Sequence, residues 1–173
     1  RLINVATVGN QKFSVVDYNY FYNTAYMNTY SDISSSYGDY ASYVLNPQKG
    51  LDEQNYSEDM TWAEHFKELA LNSMKEAAML YEEAQKAGFT LSEEQKADLE
   101  ASKATVKTYA SLYGYSAAGY LNAMYGNGMT QKVFNRCMDL SYTAQCYAQS
   151  VQDGMTYTQD EMQAEYEKDP SRV

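Results

Sequence analysis

Val5-Ala6-Thr7-Val8-Gly9-Asn10-Gln11-Lys12-Phe13-Ser14 reads as a short strand, a two-residue turn, and a second short arm that runs into a helix. Gly9 and Asn10 both tolerate positive φ, so the pair predicts a tight primed hairpin turn. Ser14 can then cap the helix, and Asp17 falls in its first turn, where a carboxylate meets the positive helix end. The chain therefore begins with a small β element that leads straight into a helical body.

Helix signals dominate from there. The first helix is predicted from Val15 to about Tyr30, followed by a Ser/Gly/Asn-rich stretch from Ser31 to Asp59. That stretch is long for a structureless loop, so short helical turns are expected within it, around Tyr37 to Leu45. Thr61-Trp62-Ala63-Glu64 is a capping-box pattern opening a helix that stops at Gly88. Its apolar stripe runs Trp62, Phe66, Leu69, Ser73, Ala77, Leu80, Ala84, and predicts that Trp62, Phe66, Leu69 and Leu80 are buried together. Ser92 restarts the chain into a helix reaching Tyr113, and a shorter one follows from Ser116 to about Tyr125. Thr130 caps a long helix with the stripe Val133, Cys137, Leu140, Ala144, Tyr147, Val151, ending at Gly154. A last helix is predicted from Thr158 to Asp169. The expected fold is all-α, an irregular bundle of about five to six helices with a small N-terminal β-hairpin, in a single domain spanning residues 1–173.

Composition narrows the partners. A chain of 173 residues with 45% hydrophobic residues is long enough for a real core. No apolar run approaches the length of a transmembrane helix, so no membrane insertion is expected. The formal net charge of -10 repels a phosphate backbone, which disfavours nucleic acid and anionic membrane surfaces. Cys137 and Cys146 fall in one predicted helix, ~13.5 Å apart along its axis. They cannot pair with each other, and read as two small buried or half-buried thiols.

Three segments together resemble the N-terminal chaperone domain of SurA/PrsA-like extracytoplasmic foldases, a peptidyl-prolyl isomerase family. The first is the opening hairpin and capped helix, with Gly-Asn where the family has Asn-Gly. The second, Glu83-Ala84-Gln85-Lys86-Ala87-Gly88-Phe89-Thr90-Leu91-Ser92-Glu93-Glu94, looks like the family's helix-stop-helix. The third, Thr158-Gln159-Asp160-Glu161-Met162 with Tyr166-Glu167-Lys168-Asp169-Pro170, looks like the helix leading out of that domain. The resemblance implies an extracytoplasmic protein that binds unfolded or extended polypeptides. It also implies that prolyl isomerisation, where present, belongs to a parvulin domain after residue 173. The elements of such a domain, a His-Ile-Leu strand and a Gly-Gly-Asp-Leu-Gly loop, do not occur in this chain.

No cofactor or metal site is expected. His65, the single histidine, sits beside Glu64 and Phe66 and reads as a partly exposed helix residue. No calcium-loop or phosphate-cradle spacing appears. Tyrosine is the oddity, at 19 residues against five Phe and one Trp. Tyr18, Tyr22, Tyr26 and Tyr30 form one stripe, and a second concentration surrounds the glycines at 114 and 126. Two readings stand: tyrosine as a half-buried core edge with a wet hydroxyl, or tyrosine lining a peptide-binding surface beside adaptable methionines. Under the second, the candidate peptide-binding residues are Tyr109, Tyr113, Tyr120, Met124, Tyr125 and Met129. The alternative to a chaperone is an exported helical scaffold whose tyrosine-rich face docks one fixed partner.

Overall fold

The computed structural model describes residues 4–155 and, beyond them, Glu161, Gln163, Ala164 and Glu167. Strands β1 (Asn4–Val8) and β2 (Gln11–Ser14) pair antiparallel, with Val8 opposite Gln11 and Ala6 opposite Phe13. Gly9 alone takes positive φ at the turn, 56°, with Asn10 in the ordinary region, an arrangement suited to a turn that needs glycine only at its first central position. The Glu82 carboxylate accepts the Asn10 N–H and lies where a Cβ on Gly9 would stand, so the turn is clamped onto the helix that carries Glu82.

Ser14 opens α1 (Val15–Tyr37) through a full capping box with Asp17. This helix runs about two turns past its expected end near Tyr30, so the Ser-rich segment Ser31–Tyr37 is helical. A 3-10 turn at Gly38–Tyr40 and the one-turn α2 (Ala41–Val44) follow, helical turns where the loop length called for them. A second 3-10 turn, Leu51–Glu53, leads into a hairpin that the sequence pattern did not announce, β3 (Asn55–Ser57) against β4 (Met60–Thr61). The Gln54 side chain holds this irregular segment by accepting from the Asn46 N–H and donating to the Asn46 carbonyl.

Four further helices follow up to residue 155: α3 (Trp62–Lys86), α4 (Glu93–Leu112), α5 (Ala117–Tyr125) and α6 (Gln131–Met155). Thr61 and Ser92 form capping boxes, and the Ser116 and Thr130 hydroxyls accept one first-turn N–H each. The architecture is the all-α bundle with a small N-terminal hairpin. The α3 helix packs along both α1 and α6, and α4 rests on α5 and α6. The helix expected from Thr158 to Asp169 lies outside the described residues, apart from the four named above.

Two hydrophobic clusters support the bundle. The first joins Phe13, Val16, Tyr20 and Phe21 to Met74, Val106, Leu121, Met129, Phe134 and Leu140. The second, around the C-terminal half of α1, gathers Ile33, Ala41, Leu45, Trp62 and Phe66. Phe66 and Leu45 have no exposed surface, and burying each contributes about 1.5–3 kcal/mol. The stripe expected for α3 needs a correction here. Trp62 and Phe66 belong to the second cluster with Leu69 at its edge, while Leu80 packs at the edge of the first, so the four are not buried together. Ser73 faces solvent, while Ala77 and Ala84 of the stripe are buried and Ala70, Met74 and Ala78 are buried beside them. On α6 the stripe holds at Cys137, Leu140 and Ala144, with Phe134 added, but Val151 is exposed.

Among the described residues, one charged group lies inside. Asp17 is 1% exposed and accepts from the Ser14 N–H and hydroxyl, from Arg136, and from the Cys137 thiol at 3.4 Å. Burial alone would raise its pKa, but these donors together hold it below the usual carboxylate range. Burial, and then the Asp17 charge, push the Cys137 thiol far up, leaving it an inert donor.

Candidate functional site

The residues singled out in the sequence divide into two groups. Tyr109 at the end of α4, Tyr113 just after it and Tyr120 on α5 come together. Tyr120 stacks on Tyr109 with ring centroids 6.3 Å apart and on Tyr113 at 6.4 Å, nearly parallel in both cases. The turn that allows this uses Gly114 at φ 73° and the Ser116 cap of α5. Tyr109 and Tyr113 remain 47% and 64% exposed, and Leu112 between them is 72% exposed. Tyr115 is also exposed, so the α4–α5 corner presents an aromatic ridge built on the Tyr109, Tyr113 and Tyr120 stack. From residue 109 to residue 131 the chain holds no Asp, Glu, Lys, Arg or His.

Of the other three, Met129 and Tyr125 need correction as surface groups. Met129 is 1% exposed and belongs to the first core cluster. Tyr125 turns inward, stacks on Tyr20 with centroids 5.7 Å apart and leans on Phe134. Its hydroxyl is pushed up to about 12 by burial and then by the neighbouring Tyr120. Met124 is half-buried. The reason is geometric: α5 has nine residues, and Tyr125 with Leu121 sits on the face it lays against α1 and α6.

The tyrosine stripe of α1 is a core edge. Tyr18, Tyr22, Tyr26 and Tyr30 are all half-buried, and Tyr22 and Tyr26 meet Phe66 edge-on. His65 is half-buried and lies flat against Tyr56, centroids 3.6 Å apart, with Trp62 edge-on. Sequence reasoning missed a cleft of about 470 Å³ opening between α1, α3 and α6. Its floor is small, with Ala25, Ala77, Ala144 and Ala148, and Gln145 and Gln149 stand along α6 at its rim. Small residues recurring on three separate helices were the only signal, and they carry no hydrophobic contrast.

Among the described residues no group of three or more His, Cys, Asp or Glu side chains could hold a metal ion, and no helix is long and apolar enough to cross a membrane. Comparison with protein-family models, curated proteins and solved structures found no match to this chain.

Proposed function

We propose that this chain holds unfolded or extended polypeptide segments of exported proteins, as the chaperone module of a SurA/PrsA-like foldase. The observation that carries the reading is the uncharged ridge of Tyr109, Leu112, Tyr113, Tyr115 and Tyr120. Monomers rarely leave a contiguous apolar surface of this kind without a partner for it. Tyrosine supplies broad contact area at low entropy cost, with a hydroxyl that tolerates both water and backbone groups. With no charge in the stretch that carries it, such a surface discriminates little between apolar clients, and its affinity is modest and sequence-tolerant. The small-floored cleft between α1, α3 and α6 has the volume of a typical ligand pocket and offers a second place for a client segment.

The test is suppression of aggregation of a denatured test protein at several-fold excess of the chain. The triple variant Tyr109→Ser, Tyr113→Ser, Tyr120→Ser should stay folded and lose most of the protection. Absence of protection by the unaltered chain would favour the scaffold that docks one fixed partner. Full protection by the folded triple variant would move the binding surface elsewhere, to the cleft first.

A further inference from the structure

A second group of tyrosines lies around the other hydrophobic cluster, in a different electrostatic setting. Tyr37, Tyr40 and Tyr43 are 54%, 71% and 86% exposed, and Tyr56 on β3 is 47% exposed. All four belong to the segment that wraps the Ile33, Leu45, Trp62 and Phe66 cluster. The Trp62 Nε1–H bond to the Val44 carbonyl ties α2 to α3 beneath them. Residues 31–60 contain Asp32, Asp39, Asp52, Glu53, Glu58 and Asp59 against Lys49 alone, half of the chain's net charge of -10. All six carboxylates are on exposed residues, and none sits in an ion pair among the described residues.

We propose that this acidic, tyrosine-bearing tip docks an extended polypeptide segment with lysine or arginine at alternate positions. Charge complementarity selects a cation. The exposed rings add a face that attracts ammonium and guanidinium groups. The Tyr40 and Tyr43 ring centroids are 6.2 Å apart. Side chains two residues apart on one face of an extended strand repeat at about 6.6 Å, so two cationic side chains meet two rings. A small polyamine could satisfy the charge, but not a surface spread over α1, α2 and β3. A second copy of this chain is disfavoured because both faces would bring the same negative charge. The site is independent of the α4–α5 ridge and stands or falls without it.

The experiment measures binding of dye-labelled twelve-residue peptides to the full 173-residue chain by fluorescence anisotropy. One peptide alternates Lys with Ser and Thr; its twin has Gln in place of every Lys. The lysine peptide should bind about tenfold more tightly at low salt, and most of the difference should vanish near 1 M salt, where the screening length falls to about 3 Å. Tyr40→Ser with Tyr43→Ser should weaken the lysine peptide about fivefold or more. Asp39→Asn, Asp52→Asn, Glu53→Gln should flatten its salt dependence. Tyr109→Ser with Tyr113→Ser should change neither. Equal binding of the two peptides overturns the proposal. So does equally tight binding of spermidine, or lysine-peptide binding that survives both tip variants in folded protein. Loss of that binding in the ridge variant, or salt-independent self-association seen by sedimentation, overturns it too.

Discussion

The two ends of this molecule use the same amino acid for different surfaces. At the α4–α5 corner, tyrosines stack on one another in a stretch without formal charge, over Leu121 and Val106. At the α2 end, tyrosines of similar exposure stand among six carboxylates and one lysine, over Leu45 and Phe66. A tyrosine in an uncharged neighbourhood offers apolar area that water leaves readily. The same ring beside carboxylates keeps its hydration and presents a face toward cations. What surrounds a tyrosine therefore decides its use more than how much of it is exposed.

The comparison assumes that each surface rides on its own core. Phe66→Ala should cost about 3–5 kcal/mol and Leu121→Ala about 2–5 kcal/mol. In hydrogen exchange, the first should loosen α2 and the β3–β4 hairpin and spare α5, and the second should do the reverse. Equal loosening at both ends in both variants would merge the two regions into one cooperative unit. Next in size is Asp17→Asn, expected to cost about 1–3 kcal/mol because it leaves Arg136 and the Ser14 donors without a charged acceptor. The pH dependence follows from the same group. Its pKa in the folded chain is lowered, so its contribution is complete above the unfolded value of about 3.9 and fades as pH falls through the folded one. An acid titration should therefore destabilise the unaltered chain more steeply than the Asn variant, beginning where α1 meets α6. Smallest of all, Tyr43→Ser and Tyr113→Ser should each change the unfolding free energy from urea melts by no more than about 0.5 kcal/mol, as exposed positions do. A larger loss at either would make that tyrosine a structural residue.

The local parts of this fold were legible because they are written in neighbouring residues. Ser14 with Asp17, Thr61 with Glu64 and Ser92 with Gln95 each close a box within one turn, and each helix starts where its cap stands. The phase of α3 was legible in part: Trp62, Phe66, Ala77 and Ala84 of the stripe are buried, but Ala70, Met74 and Ala78 join them while the bulkier Leu69 and Leu80 stay at the edges. Close helix packing favours small residues at the line of contact, and a hydrophobicity pattern underweights them. The β3–β4 hairpin escaped notice because its strands are only three and two residues long and carry no alternating apolar pattern. Of the six candidate site residues, Tyr109, Tyr113 and Tyr120 meet in one ridge. Tyr125 does not join them, because sequence concentration says nothing about which face of the nine-residue α5 points inward, and Met129, in the turn after α5, enters the first core cluster.

Trp62 is the chain's one tryptophan, 5% exposed, wedged against Phe66 and Tyr56 and hydrogen-bonded to the Val44 carbonyl. Its emission is therefore a one-sided reporter. Displacing Tyr56 or shifting α2 alters the indole's surroundings directly, whereas occupancy of the α4–α5 ridge leaves them untouched. Excitation at the red edge of the near-ultraviolet band would separate ligands by the end of the molecule they choose, with no label attached.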